Sequence, residues 1–247
     1  MTDSTLFDPR KLPVRAGLKR EIARAWERLA SPGTWWNAKE RLAIAAEVRN
    51  ARHCGLCLQR KEALSPYTAA GPHDSLRALS APIVEVVHRV STDAGRLTKK
   101  WLHAMLNDGV TEEQYVEAVG VIALITALDS FDLALGLEQR PLPAARPGKP
   151  GRHRPAGAAR DLAWVHTVAP EALGAADPDP YSVHGTKNIH RALSLVPQEV
   201  LNFFDLDVEL YLKDHEIRDF ATEYRALTHA QIELLAGRVS ALNGCYY

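Results

Sequence analysis

Charge of one sign is missing from this 247-residue chain: 30 Lys and Arg balance 30 Asp and Glu, for a formal net charge of zero. No global field draws in nucleic acid or an anionic membrane, so neither is expected as a partner. Long hydrophobic runs are missing too. The longest, Ala118 to Leu128, is followed by Asp129 and Asp132 and reaches about half of the ~20 residues a membrane span needs. It reads as a buried core helix. The opening MTDSTLFDPRK has neither the basic nor the apolar region of a secretory signal, which leads us to expect a cytoplasmic protein. No glycine-rich phosphate loop of recognised spacing and no G-x-S-x-G elbow occurs, and no resident cofactor is expected. Cysteine is scarce, with three in all. That excludes a disulfide scaffold, and 46% hydrophobic residues suffice for a core without one.

What is present is helical periodicity. Leu18, Ile22, Trp26 and Leu29 fall on one face of a helix closed by Ser31-Pro32-Gly33. Thr34 is the expected N-cap of the next helix, which runs through Ala51, and Pro66 stops the one that carries two cysteines. Further helices are expected at Pro82 to Thr92, Leu97 to Asn107 and Thr111 to Leu137. The last opens with the capping-box text Thr111-Glu112-Glu113-Gln114. Alternating strand patterns are nearly absent, so the fold class is all-α. Three regions follow: a helical domain over 1–140, a Pro/Gly/Arg-rich extended linker and irregular segment over 141–185, and a second helical stretch over 186–247. Helices in that last stretch are expected at Thr186 to Leu195, Gln198 to Lys213 and Thr228 to Leu242.

Cys54-Gly55-Leu56-Cys57 puts two thiols at i and i+3, neighbours on a helix and within adjustment of disulfide range. Arg49, Arg52, His53, Arg60 and Lys61 surround them in sequence. Positive charge and a helix N-terminus favour thiolate, which points to redox chemistry over two inert core cysteines. Zinc is the lesser reading, because no second C-x-x-C or paired-His motif supplies two more ligands. Glu85-x-x-His88 has the spacing of half a di-iron carboxylate site, but without a partner motif it reads as a solvated helix face. Glu47, seven residues before Cys54, is the expected proton acceptor, and Glu40 lies seven before that. An unbroken helix would bring all three to one face. His53 is a candidate shuttle.

These residues carry a family resemblance. The segment ERLAIAAEVRNARHCGLCLQRKEAL, followed by GVTEEQYVEAVGVIALITALDSFDLALGL, resembles the alkylhydroperoxidase AhpD-like, carboxymuconolactone-decarboxylase-like superfamily. The resemblance implies an all-helical bundle, with Cys57 as the peroxide-attacking thiol and Cys54 resolving it as a disulfide. It also implies a hydroperoxide substrate, an external lipoyl-type or other dithiol donor, and a homo-oligomer. The family histidine four residues after the second cysteine is Lys61 here, and the family glutamate twelve before the first is Leu42, so Glu47 and Lys61 are the stand-ins. Carboxymuconolactone-decarboxylase-like chemistry on a small cyclic acid, and a non-enzymatic redox sensor or degenerate scaffold, are the alternative readings.

The text ELLAGRVSALNGCYY resembles the same motif, with Glu233 twelve residues before Cys245. Aligned at their cysteines, the two copies share Ala45 with Ala236 and Val48 with Val239, with Ile44 opposite Leu235. The expectation is a tandem protein whose second copy is incomplete. Leu234, Leu235, Val239 and Leu242 then need a covering surface, either the first domain or another chain.

Overall fold

The structure is a computed structural model and describes residues 13–245. It is mostly helical, as the periodicity implies. The first helices are α1 (Ala16–Ala30), α2 (Ala38–Ala51), α3 (Gly55–Glu62), α4 (Ala81–Asp93), α5 (Lys99–Asn107) and α6 (Glu112–Ala134). Then come the two-residue strands β1 (Ala158–Ala159) and β2 (Thr167–Val168), which pair antiparallel, and the single turns α7 (Tyr181–His184) and α8 (Asn188–Arg191). The chain ends with α9 (Pro197–Leu210), α10 (Asp214–Arg218) and α11 (His229–Leu242).

α6 is the central element. Its apolar residues are spread around the helix, as expected of one enclosed on several sides. Val116, Val121, Leu124, Ile125 and Leu128 are all buried against α1, α2, α4 and α9. Thr111 and Gln114 form the expected capping box at its start. The cap of α2, by contrast, is Asn37 rather than Thr34. Glu117 of α6 accepts hydrogen bonds from the backbone N–H groups of Trp35 and Trp36, which holds Thr34 to Trp36 out of the helix. Asn37 and Glu40 close a capping box instead.

Buried charge ties α2, α6 and α9 together. Arg41 donates to Glu117 at 2.6 Å and to Glu199 at 2.8 Å, and all three side chains are almost fully buried. Burial and the neighbouring Glu199 push the Glu117 carboxyl up to about 7, against the pull of Arg41. The close approach of α9 to α6 needs Gly120, since a Cβ there would stand 2.7 Å from the Glu199 carboxylate.

The basic segment expected as an extended linker lies along the helices. Its backbone bonds Arg146 N–H to Ala30 C=O and Arg152 N–H to Thr34 C=O. Three of its charges are paired with carboxylates of α6: Arg140 with Asp132, Arg154 with Glu113, Arg160 with Glu112. Beyond it, Leu195, Val196, Val200, Phe204 and Leu206 join the same core as α1 and α6. Between Thr186 and Leu195 only the turn Asn188–Arg191 is helical. There the Ser194 hydroxyl donates to the Arg191 carbonyl and accepts from the Val168 N–H beside the small sheet.

α11 follows the expected helix over Thr228 to Leu242, with Thr228 as its N-cap. Leu234, Leu235, Val239 and Leu242 are between 56 and 73% exposed, so the first domain does not cover them. The sequence counterparts of Leu235 and Val239, Ile44 and Val48, are buried.

Candidate functional site

The cysteines sit where α2 gives way to α3. α2 ends at Ala51, Arg52 and His53 form the turn within the stretch whose text suggests an interruption, and Cys54 is left in extended conformation as the N-cap of α3. Cys57 then stands in the first turn of α3. The thiol side chain of Cys54 makes no capping bond, and Asp74 supplies it: its carboxylate accepts from the Gly55 N–H at 2.7 Å. The Asp74 backbone N–H points at Cys54 Sγ, at 3.4 Å. The loop between α3 and α4 is thereby fastened over the thiols, and its previous residue, His73, is carried inward.

Two histidines meet the sulfurs. His73 Nδ1 is 3.4 Å from Cys54 Sγ and 3.5 Å from Cys57 Sγ, while His88 Nδ1 from α4 is 3.2 Å from Cys57 Sγ. Each ring has a carboxylate on its far nitrogen: His88 Nε2 lies 2.8 Å from Glu47, and His73 Nε2 lies 2.7 Å from Glu85. Those carboxylates are anchored in turn. Glu47 accepts from the Leu76 N–H and the Asn50 amide, and Glu85 accepts from Arg60 and the Trp101 indole N–H. The two ring centroids are 4.1 Å apart.

This geometry splits the two rings electrostatically. For His73, burial works against the cation, but hydrogen bonds to Cys57, Glu85 and Cys54 outweigh it and raise the pKa to about 10. For His88, burial and the neighbouring His73 push the pKa down against the pull of Glu47, so the neutral ring prevails. Burial also disfavours ionised Cys54 and Glu85. Cys54 is nonetheless lowered, chiefly by the Cys57 N–H and His73, and Glu85 falls to about 2 through His73, Arg60 and Trp101. The site thus holds a cation and a neutral base against a dithiol.

The expected site residues divide. Cys54, Cys57 and Glu47 come together, with Glu47 reaching the thiols through His88 rather than along its own helix. Glu40 is held in the Asn37 capping box. Lys61 and His53 are exposed and stand outside the cluster. The basic residues near the pair in sequence are spent elsewhere, Arg49 on Asp129 and Arg60 on Glu85, and positive charge reaches the sulfurs from His73. The Glu85 and His88 face, read as solvated, is turned inward: His88 is fully buried. His73 escaped the sequence reading, its one signal being a His-Asp pair in the loop between the cysteine helix and α4. Glu233 accepts from the Tyr211 hydroxyl, and Cys245 is a free, exposed thiol. Neither belongs to the cluster.

Both thiols are buried, Cys54 at 0% and Cys57 at 3% exposure, and His73, which touches both, is partly buried. A cavity of about 610 Å³ elsewhere, bordered by Arg24, Arg28, Arg41 and His153, shares no residue with them. Among the described residues no helix is long and apolar enough to cross a membrane. Fold and site together define a helical protein with a buried dithiol flanked by two His–carboxylate pairs. No protein-family model, curated protein or solved structure matches the chain.

Proposed function

We propose that this is a thiol-dependent peroxidase of the AhpD-like kind, reducing hydroperoxides through Cys57 and Cys54. The observation that carries the reading is the chain Cys57–His88–Glu47, a buried thiol in contact with an imidazole whose other nitrogen faces a carboxylate. His88 supplies from α4 the histidine that the family motif would place at Lys61.

In this mechanism neutral His88 takes the Cys57 proton, and the His73 imidazolium stabilises the thiolate. The thiolate attacks the peroxide: an S–O bond forms, the O–O bond breaks, and the departing alkoxide takes the proton from His88 and leaves as alcohol. Cys54 thiolate then attacks the sulfenic sulfur. A disulfide forms, and hydroxide leaves as water with a proton from His73. An external dithiol, of lipoyl or similar type, returns two electrons and two protons to the disulfide.

The test is peroxide consumption with a dithiol donor. Multiple turnovers are expected, lost in Cys57→Ser, and a sulfenic-acid trap should label Cys57 in Cys54→Ser. Labelling of Cys54 in Cys57→Ser with turnover retained would reverse the roles. Turnover of a small cyclic acid surviving Cys57→Ser would favour the decarboxylase-like alternative. The burial of both thiols favours the sensor alternative, which a single stoichiometric oxidation without turnover would establish. The homo-oligomer implied by the resemblance has an apolar face available on α11, at Leu234, Leu235, Val239 and Leu242.

A further inference from the structure

We propose that the reduced site is also a zinc site, with Cys54 Sγ, Cys57 Sγ, His73 Nδ1 and His88 Nδ1 as its four ligands, and that metal and disulfide are mutually exclusive ways of closing it. The second half of the proposal rests on the redox reading above; the first does not.

The geometry carries the inference. These four atoms all lie within 4.8 Å of one another. Zinc holds thiolate sulfur at about 2.3 Å and imidazole nitrogen at about 2.0–2.1 Å in tetrahedral arrangement, so the S···N edges of its coordination shell are about 3.5 Å long. Three of the four S···N separations are 3.4, 3.5 and 3.2 Å, and the fourth is within 4.8 Å. Folding has already brought the donors to the spacing that the ion would impose.

The donors are also correctly aimed. A carboxylate can only accept, so the Nε2 atoms facing Glu47 and Glu85 carry the hydrogens. The two Nδ1 atoms both face the sulfurs and are the ones left to ligate, with His73 giving up its Nδ1 proton to solvent as the ion binds. A carboxylate behind each metal-binding imidazole is the usual outer support of such sites. Here both carboxylates are themselves held, Glu47 by Leu76 and Asn50, Glu85 by Arg60 and Trp101. Two sulfurs and two imidazoles, with no oxygen among the four, select zinc over magnesium or calcium. Two thiolates also balance the charge of a divalent ion in a place that water scarcely reaches. The second pair of ligands escapes a motif search because His73 and His88 come from a loop and from another helix.

Four protein ligands leave no open position for a substrate or an activated water, so the ion would have no hydrolytic role. Its consequence falls on the thiols. A metal-bound thiolate has its lone pair engaged, and disulfide formation removes two of the four ligands. Zinc therefore holds the dithiol in reserve, and oxidation of Cys54 and Cys57 to the disulfide releases the ion, the two electrons passing to peroxide, which leaves as alcohol and water.

The experiment titrates reduced, metal-stripped full chain with Zn²⁺ against a chromogenic chelator, and with Co²⁺ as a spectroscopic probe. One equivalent is expected, with the visible bands of tetrahedral cobalt and thiolate-to-cobalt charge transfer, and no binding by the disulfide form. Cys54→Ser and His88→Ala should lose the site, with circular dichroism reporting retention of the helices. Glu85→Gln, which leaves all four ligands in place, should weaken affinity by about 10–100-fold. Failure of the reduced, folded protein to bind, a thiolate-free octahedral cobalt spectrum, or undiminished affinity in both His73→Ala and His88→Ala would overturn the site. Peroxide treatment of the zinc form should release the ion in step with thiol loss, and should oxidise the thiols more slowly than in the metal-free form. Equal oxidation rates would overturn the exclusivity. Zinc binding without peroxidase turnover in the metal-free protein would sink the peroxidase reading alone, and turnover without zinc binding would sink the metal site alone.

Discussion

His88 Nδ1 lies 3.2 Å from Cys57 Sγ, although 31 residues and the whole α3–α4 loop separate the two in sequence. The contact exists because α4 packs closely on both α2 and α3. One ring can therefore touch Glu47 on the former and Cys57 on the latter. It places a base on the thiol from a helix that carries no cysteine.

Removing that base should cost chemistry rather than fold. His88→Gln is expected to lower peroxide turnover by about 10²–10⁴-fold, the usual worth of a positioned general base. Glu47→Gln should lower it less and shift the pH profile, since the ring stays but loses its orienting charge. Steady-state kinetics across pH check both. Unchanged turnover in His88→Gln would remove the relay from the mechanism.

Lys61 and His53 offer the opposite expectation. Both are exposed and make no contact with the thiol cluster, so Lys61→Ala and His53→Ala should leave turnover unchanged. Stability should move by no more than about 0.5 kcal/mol, as for most surface changes. Denaturant melts alongside the peroxidase assay measure both quantities.

The junction of α6 and α9 is intolerant of bulk. At Gly120 an added methyl meets Glu199 Cβ and Cγ at 3.0 Å as well as its carboxylate, so Gly120→Ala should destabilise the fold by about 1–3 kcal/mol. Arg41→Met should cost more, about 3–5 kcal/mol, because it strands Glu117 and Glu199 buried without their cation. Chemical denaturation of the two variants decides whether this ion cluster holds α9 on the core.

Glu117 gives the protein a signature in pH. Its carboxyl is raised from 4.5 to about 7 in the folded state, by burial and by Glu199, so the folded chain retains a proton that the unfolded chain releases near 4.5. The associated stability is whole below about 4.5 and is lost as pH climbs through 7. Unfolding free energies measured from pH 4 to 8 should therefore fall with rising pH more steeply in the wild type than in Glu117→Gln. Parallel profiles would mean that Glu117 titrates in the fold as it does in the unfolded chain.

Elements governed by local chemistry were legible in the chain itself. The capping box opening α6, the interruption of the helix just before Cys54 and the extended path of the Pro/Gly/Arg-rich segment all depend on residues close together in sequence. So does the i, i+3 placement of Cys54 and Cys57 at the start of a helix. Thr34 failed as a cap because Glu117, 82 residues from Trp35, claims the backbone groups that would have entered the helix. No local signal announces that competition.

The sequence by itself determined a mostly helical protein with one thiol pair and a nearby glutamate, because helix period, caps and cysteine spacing are properties of neighbouring residues. Tertiary structure alone decided what surrounds the sulfurs. It turned Glu85 and His88 inward, brought His73 down from a loop, left Lys61 and His53 in solvent, and seated α9 in the core of the earlier helices while leaving the apolar face of α11 bare. Side chains from four separate segments can come within a few ångströms of one another only once the helices have packed, and the charge state of each is set by neighbours that the chain order does not reveal.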